Sequence, residues 1–377
     1  MTAHGPAGTA SAGDPVLASA VVLGTGLIGT SVALALRERG LTVWLEDREA
    51  ASAELAAGIG GGALLPAGGP PGGPADVAVL ATPPAAVAPA LAAAQERGLA
   101  RCYTDVASVK ELPLSQARAL GCDLTTYVPG HPLSGRERSG PAAARADLFL
   151  GRPWVICPLA ESQAHAILLV TTLARECGAQ PVNLSPAEHD QWVALVSHAP
   201  HLLAAAMAAR LEQADQGALA LAGQGLRDVT RIAAGDPDMW LQILLANAGP
   251  VSEVLRLVAA DLQQAAAALE RGQAGEELAG KELAELLERG TAGVARLPGK
   301  RGGPAPSFAL VQVIIPDRPG ELARLFDAAG EAGINIEDID IEHSPGLPVG
   351  VAELWVKPEA IGRLSAVLAA GGWPVRR

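Results

Sequence analysis

A histidine and a serine stand at the ends of two apolar runs of the chain. His131 closes the run at residues 127–130, and Ser108 follows the run at residues 100–105. A neutral imidazole is the natural proton acceptor for alcohol oxidation near pH 7, and Ser108 could hydrogen-bond that imidazole or a substrate hydroxyl. The pair therefore favours a hydroxyl-oxidising enzyme, although a histidine before a proline can also serve only as a loop hydrogen-bonder. We interpret nearby Lys110 as a solvated or phosphate-facing charge.

Further polar side chains lie in a region with helical patterning. Ser197 and His201 are spaced i, i+4, so both are expected on one face of a helix. Arg231 offers a planar fork for a carboxylate, and Asp228, three residues earlier, could hold its guanidinium. Each also has a purely structural interpretation. Ser197 and His201 could be polar groups satisfied on a buried helix, and Arg231 could belong to a salt bridge. Trp240 is interpreted as a core or subunit-interface residue.

A glycine motif predicts the cofactor. The sequence GTGLIG at residues 24–29 follows a β-branched apolar run and opens a helical pattern over residues 27–39. A second strand pattern at residues 41–47 ends in acid, which completes the strand–turn–helix–strand–acid order of a dinucleotide site. The helix N-terminus offers N–H groups to a pyrophosphate. The predicted cofactor contacts are Gly24, Gly26, Leu27, Ile28, Gly29, Asp47, Arg48 and Thr82.

Asp47 indicates which dinucleotide is bound. A carboxylate at the end of the second strand can accept hydrogen bonds from both hydroxyls of an adenosine ribose and repels a 2′-phosphate. Arg48 beside it could instead attract that phosphate. The sequence therefore favours NAD over NADP.

Composition limits the remaining possibilities. The 377 residues carry a net charge of −12 without a basic face, which argues against nucleic acid as a partner. The four cysteines lack CxxC or metal-ligand spacing, so no metal site is expected and a reducing cytoplasm is favoured. Residues 1–15 lack the pattern of a signal peptide. The longest apolar stretch, residues 193–209, is interrupted by His198, Pro200 and His201, so no membrane span is expected.

The patterning changes twice along the chain and predicts three domains. Residues 1–17 resemble a disordered leader. Alternating strands and helices over residues 18–184 predict a doubly wound α/β domain, and residues 185–297 predict an all-helical domain that packs against a second subunit. Helices are expected at 217–233, 238–271 and 276–289, and Ser185 and Glu188 form a capping box. After a linker at 298–306, residues 307–377 read as βαββαβ, which is ferredoxin-like.

Taken together, these segments resemble the prephenate dehydrogenase family, which includes arogenate and cyclohexadienyl dehydrogenases. The resemblance rests on GTGLIG (24–29), DVASVK (105–110), GHPLSGRERSG (130–140), EHDQWVALVSHAPH (188–201) and DVTRIAAGDPDMW (228–240). It implies a Rossmann domain, a helical dimerisation domain and a homodimer. It further implies that His131 polarises the ring hydroxyl with help from Ser108, and that Arg231 binds the ring carboxylate. The other implied substrate contacts are Ser197, His201, Glu137 and, from the facing subunit, Trp240.

The resemblance also implies a regulatory module. The last 71 residues look like an ACT domain, in which a turn at residues 317–320 binds an amino acid, with tyrosine as the expected effector. The implied regulatory residues are Asp317, Arg318, Pro319, Gly320, Asn335 and Ile336.

The implied reaction is NAD-dependent oxidative decarboxylation of prephenate to 4-hydroxyphenylpyruvate in tyrosine biosynthesis. Arg136, if it faces the substrate side chain, would repel the ammonium of arogenate and favour prephenate. Arogenate or cyclohexadienyl dehydrogenase remains the alternative. A 3-hydroxyacid or 6-phosphogluconate-type dehydrogenase would need a catalytic lysine that residues 185–212 lack. A non-catalytic regulator binding NAD and an amino acid would not need the five polar residues Ser108, His131, Ser197, His201 and Arg231.

Overall fold

A computed structural model describes residues 16–134, 140–273, 276–297, 308–343 and 348–376. The chain forms two compact units, Met1–Ala259 and Ala260–Arg377. The predicted helical domain over 185–297 is therefore shared between the two units.

The first unit begins with a five-stranded parallel sheet of order β3-β2-β1-β4-β5. Its elements are β1 (Ser19–Leu23), α1 (Leu27–Glu38), β2 (Thr42–Glu46), α2 (Ala50–Gly58), β3 (Ala63–Leu64), β4 (Ala75–Leu80), α3 (Pro84–Glu96), β5 (Ala100–Asp105) and α4 (Glu111–Ala119). This order is that of a Rossmann-like nucleotide-binding fold, as the sequence predicted.

Both faces of this sheet are covered, which explains why its strands read as continuous apolar runs. Along β1, Ala20 and Val22 pack into one core cluster while Val21 and Leu23 pack into another. Alternate side chains of a strand point to opposite faces, so the two clusters lie on the two sides of the sheet. The carboxyl ends of the strands are thereby held at one edge, where the glycine loop and Ser108 follow β1 and β5.

A second, three-stranded sheet of order β6-β7-β8 continues the first unit. Its elements are β6 (Gly130–Pro132), β7 (Pro153–Ile156), α5 (Ala164–Glu176) and β8 (Gln180–Asn183). Its link to the parallel sheet is a bridge between Tyr103 and Tyr127, where Val128 N–H donates to the Tyr103 carbonyl at 2.9 Å. Strand β6 runs antiparallel to β7. The bridge fixes His131, the middle residue of β6, beside the end of β5.

Most of the described residues between 186 and 294 are helical. They are α6 (Pro186–Val193), α7 (Ala199–Ala208), α8 (Gln216–Leu219), α9 (Gln224–Thr230), α10 (Pro237–Ala246), α11 (Ala248–Gln273) and α12 (Glu277–Val294). A π-helical turn, Ala194–His198, joins α6 to α7. The predicted capping box is confirmed, because Ser185 accepts from Glu188 N–H while the Glu188 carboxylate accepts from Ser185 N–H.

Two of the predicted helices are wrong in extent. The pattern over 238–271 is two helices that bend by 96° at Asn247, and the pattern over 217–233 is the separate helices α8 and α9. Asn247 is 2% exposed, and its side chain hydrogen-bonds a backbone carbonyl and a histidine of α6 and the π-turn. These tertiary hydrogen bonds, with Pro250 just after them, outweigh the local helix propensity.

The segment 186–211 is long and apolar enough to cross a bilayer by length and composition alone. Its polar residues His189, Asp190, His198 and His201 are buried against other parts of the first unit. Of its most apolar 18-residue window, 33% is buried among the described residues.

The C-terminal part of the second unit is a four-stranded antiparallel sheet of order β10-β11-β9-β12. Its elements are β9 (Ala309–Pro316), α13 (Glu321–Glu331), β10 (Asp338–His343), β11 (Val349–Val356), α14 (Ile361–Ala370) and β12 (Val375–Arg376). This is the βαββαβ order that the sequence pattern predicts. Alternate residues Val311, Val313 and Ile315 pack with Leu325 and Leu364 in one core.

Candidate active site

The glycine loop has the geometry that a bound dinucleotide needs. Gly24 has φ +100° and donates its N–H to the Glu46 carbonyl at 2.8 Å. A side chain at Gly24 would collide with the Ala81 carbonyl, and one at Gly29 with the Gly24 carbonyl, so glycine is required for the turn and for close packing. Gly26, just before Leu27 and Ile28 at the start of α1, faces open space. A phosphate can therefore approach the backbone at the helix N-terminus.

Side chains around this loop also fit the cofactor. Asp47 Oδ2 accepts hydrogen bonds from Thr25 N–H at 2.5 Å and from the Thr25 hydroxyl at 3.0 Å, which fixes the carboxylate beside the loop. Arg48 is exposed. The Thr82 hydroxyl, just past β4, is buried and has no hydrogen-bond partner among the described residues. Such an orphaned polar group is a candidate ligand contact, so the loop residues and Thr82 suit NAD.

His131 lies partly buried at one end of a hydrogen-bonded series of polar side chains. Its Nδ1 is 2.8 Å from Nε2 of His189, and Nδ1 of His189 is 2.7 Å from Oδ1 of Asp190. Burial, then the neighbouring His189 and the Lys110 ammonium, lower the pKa of His131 well below its ordinary value of 6.5. The imidazole is therefore neutral at pH 7 and able to accept a proton.

Beneath His131 lies a buried ion pair that the sequence reading missed. Lys110 is 1% exposed, and its Nζ donates to Asp105 Oδ1 and, at 2.6 Å, to the Gly130 carbonyl. Asp105 Oδ2 accepts from the Tyr127 hydroxyl at 2.7 Å. The interpretation of Lys110 as a solvated or phosphate-facing charge is wrong, because this network satisfies its charge inside the protein.

A second cluster brings α7, α10 and the π-turn together. The His201 and Trp240 rings stack at 3.6 Å between centroids, and His198 meets the same indole edge-on at 6.2 Å. Asn247 Nδ2 lies 3.1 Å from His198 Nδ1 and donates to the Asp190 carbonyl at 2.8 Å. Burial lowers the pKa of His198 to about 4. Trp240 therefore has a partner within its own chain.

The remaining predicted site residues are more scattered. Ser108 lies in a bend after β5, partly buried, and the side chain that partners the His131 imidazole here is His189 rather than Ser108. Ser197, in the π-helical turn, is exposed, whereas His201, in α7, is buried. Arg231 is exposed. Asp228 accepts from Gln224 Nε2 at 2.9 Å. Arg136 and Glu137 lie outside the described residues.

The residues implied for regulation form a turn in the second unit. Asp317 N–H donates to the Pro348 carbonyl at 2.9 Å, Gly320 has φ +84°, and exposed Arg318 pairs with Glu321 at 2.8 Å. Pro319 lies within this turn. Asn335 donates to Glu337 at 2.8 Å, and Ile336 packs against the core of that sheet.

Comparison with known proteins identifies the family. Residues 32–183 match the family model of the prephenate dehydrogenase nucleotide-binding domain, and residues 185–288 match that of the prephenate dehydrogenase dimerization domain. A relative from Streptomyces niveus, named "Probable prephenate dehydrogenase NovF", is 41% identical over 94% of this chain and 99% of its own length. The chain belongs to the prephenate dehydrogenase family. It is thus an oxidoreductase whose first domain binds NAD.

Two further proteins show how far this likeness extends. The prephenate dehydrogenase of Bacillus subtilis is 27% identical over 85% of this chain and 87% of its own length. A crystal structure of prephenate dehydrogenase from A. aeolicus, in complex with hydroxyphenyl propionate and NAD⁺, covers 74% of this chain and 99% of its own. At a TM-score of 0.63 and 24% identity it supports the fold.

The structure shows site residues that the sequence prediction missed. His189 and Asp190 lie inside the EHDQW motif, whereas the sequence prediction names Ser197 and His201, later in the same segment. An adjacent histidine and aspartate at the start of a helix is a usable signal for a hydrogen-bonded pair. Asn247 gave no local signal, because its partners come from distant parts of the chain.

Asp47→Ala is expected to raise the ratio of kcat/KM with NADP⁺ to that with NAD⁺ by about tenfold, because repulsion of a 2′-phosphate disappears. Both values will fall, since Asp47 also holds the Thr25 amide. Asp47→Asn is the matched control that keeps an acceptor oxygen without the charge, and it should shift the same ratio. Steady-state rates with both cofactors provide the test, and a wild-type enzyme that already prefers NADP⁺ would contradict the role of Asp47.

Proposed function

We propose that the protein is an NAD-dependent prephenate dehydrogenase of tyrosine biosynthesis. It would convert prephenate and NAD⁺ to 4-hydroxyphenylpyruvate, CO₂ and NADH. The observation that carries the proposal is His131, a neutral imidazole held by buried neighbours at the edge of a nucleotide-binding sheet. NAD⁺, when bound, supplies the hydride acceptor.

His131 would accept the proton of the substrate hydroxyl as the C4–H bond gives up its hydride and a carbonyl forms at C4. The ring carboxylate then leaves as CO₂, and its bonding electrons make the ring aromatic. The resulting phenolate oxygen takes the proton back from His131, so no net proton is released. Ser108, one strand end away, would hydrogen-bond the same hydroxyl. Because aromatisation supplies the driving force, the protein mainly has to align the reacting groups.

The test is NADH absorbance from purified protein with prephenate and NAD⁺. Turnover at rates usual for enzymes supports the proposal. If prephenate and arogenate both fail while NAD⁺ binds, the alternative of a non-catalytic NAD-binding regulator is favoured instead.

The preference for prephenate over arogenate is a finer proposal, supported by the charge of Arg136 in the sequence. Substitution Arg136→Gln should raise the ratio of kcat/KM for arogenate to that for prephenate. Steady-state rates with both substrates measure this ratio, and an unchanged ratio would mean that Arg136 does not set the preference for prephenate.

Arg231→Ala is expected to raise KM for prephenate more than tenfold, because one carboxylate would lose a charge-assisted hydrogen-bonded pair worth about 1.5–3 kcal/mol. Arg231→Lys keeps the charge without the planar fork and should recover only part of the loss. Initial rates over a range of prephenate concentrations decide this. An unchanged KM in the alanine variant would make Arg231 structural.

A homodimer is proposed from the apolar surface of the helical region. Trp192, Leu195 and Val196 at the end of α6 and in the π-turn are 54%, 61% and 67% exposed, and Leu241 and Leu245 of α10 are also exposed. Exposed apolar groups in such number are typical of subunit interfaces. Light scattering after size-exclusion chromatography should give twice the mass of 38.2 kDa.

We further propose that the protein works in the cytoplasm, where its four cysteines stay free.

We also propose that the C-terminal βαββαβ module is an ACT domain that binds tyrosine. The open, exposed turn at Asp317–Gly320 supports a ligand role. Removal of residues 302–377 should leave an active enzyme that no longer responds to tyrosine. Calorimetry on the intact chain checks the effector: if tyrosine, phenylalanine and tryptophan all fail to bind at millimolar concentration, the regulatory role is wrong.

A further inference from the structure

Asp190 is held as an acceptor-only group behind the candidate base. Its Oδ1 accepts the backbone N–H of Lys110 at 2.8 Å, and its Oδ2 accepts that of Glu111 at 2.9 Å. Asn247 fixes the same residue through its backbone carbonyl. The side chain is 3% exposed. Because both oxygens face fixed amide donors, the carboxylate can only accept from any further partner.

This arrangement dictates the proton positions on His189. Its Nδ1 lies 2.7 Å from Asp190 Oδ1, so Nδ1 must carry a hydrogen. Burial lowers the pKa of His189, so the ring is neutral and its Nε2 presents a lone pair. The opposite tautomer would place a lone pair against a carboxylate oxygen and leave buried groups without hydrogen-bond partners, which is unfavourable.

The lone pair on His189 in turn determines which ring nitrogen of His131 carries the proton. Its Nδ1 lies 2.8 Å from the lone pair on His189 Nε2, so Nδ1 of His131 is the donor. The other ring nitrogen, Nε2, is then without a proton.

We propose that His189 and Asp190 are positioning residues that fix the tautomer of His131, so that Nε2 of His131 is the atom that accepts the substrate proton. The proposal rests on the proposed dehydrogenase function and names the atom that performs its proton transfer. When Nε2 takes the proton, the Nδ1–H bond to His189 and the Asp190 carboxylate behind it stabilise the imidazolium that forms.

The tautomer can be read without turnover. Nitrogen-15 NMR of histidine-labelled enzyme resolves which ring nitrogen carries the proton, and the His131→Asn variant identifies the resonances of His131 among the seven histidines. We expect wild-type His131 to be protonated on Nδ1 alone at neutral pH. In His189→Phe the acceptor is gone, and the two ring nitrogens of His131 should move to the intermediate, averaged shifts of a mixed tautomer population. Wild-type His131 protonated on Nε2 would overturn the proposal, whatever the enzyme oxidises.

Kinetics supply the second readout. His189→Phe should lower kcat by roughly 10–10²-fold, the usual cost of losing such an outer partner, while KM for prephenate and NAD⁺ changes less than about threefold. His189→Gln places a carbonyl oxygen near the position of Nε2 and should recover part of kcat. The exposed His165→Phe on α5 is the matched control and should behave as wild type.

The possible results distinguish a failure of the positioning role from a failure of the proposed dehydrogenase function. A kcat close to that of wild type in both His189→Phe and His189→Gln, at equal melting temperature, would show that the ring only fills space and would overturn the positioning role. If His189→Phe does not fold, the tautomer of His131 in the wild-type enzyme and the kcat of His189→Gln still test the positioning role. A wild-type enzyme that oxidises neither prephenate nor arogenate would sink the proposed function and leave the tautomer result standing.

Discussion

His131→Asn is expected to lower kcat for prephenate oxidation by about 10²-fold or more, with KM within a few-fold of wild type. The asparagine amide can still donate to His189 Nε2 from near the position of Nδ1, so the buried line to Asp190 survives. The Nε2 acceptor is lost. Turnover within a few-fold of wild type would contradict the role of His131 as the proton acceptor.

The pH dependence of activity should reflect the lowered pKa of His131. His131 accepts a proton only when neutral, and its pKa is lowered well below 6.5, chiefly by burial. Activity should therefore persist as the pH falls through 6.5 and decline only nearer the lowered pKa. The pH dependence of kcat/KM measures this limb. An acidic decline of kcat/KM centred at or above pH 6.5 would mean that a different group, or a solvated His131, controls the reaction.

Local patterns were sufficient to predict the cofactor site. The glycine loop, the strand before it and the helix after it are contiguous in sequence, and the φ of Gly24 and the close packing of Gly29 follow directly from the motif. His131 was also found at a strand end. These features announce themselves through contiguous residues, which a single sequence displays, even where the packing partner is distant, as Ala81 is for Gly24.

Features that depend on distant partners were missed. The apolar pattern through 238–271 is compatible with one helix, and the break comes from hydrogen bonds between Asn247 and residues about 50 positions earlier. Pro250 was the usable signal, because proline cannot donate a helical hydrogen bond and is tolerated in the first turn. The partner of His131 is likewise 58 residues away, so the sequence could offer Ser108 by spacing but not His189.

Lys110→Met is expected to destabilise the protein by about 3–5 kcal/mol, because it leaves the buried Asp105 carboxylate without its counter-charge. The double variant Lys110→Met, Asp105→Asn removes both charges and should regain much of that loss, whereas a lysine that only filled space would show additive effects. Denaturant unfolding at fixed protein concentration gives both values. The Lys110 ammonium also lowers the pKa of His131, so its removal should raise that pKa and move the acidic limb of kcat/KM to higher pH. A single variant that unfolds within about 1 kcal/mol of wild type would mean that the ion pair is not what holds the ends of β5 and β6 together.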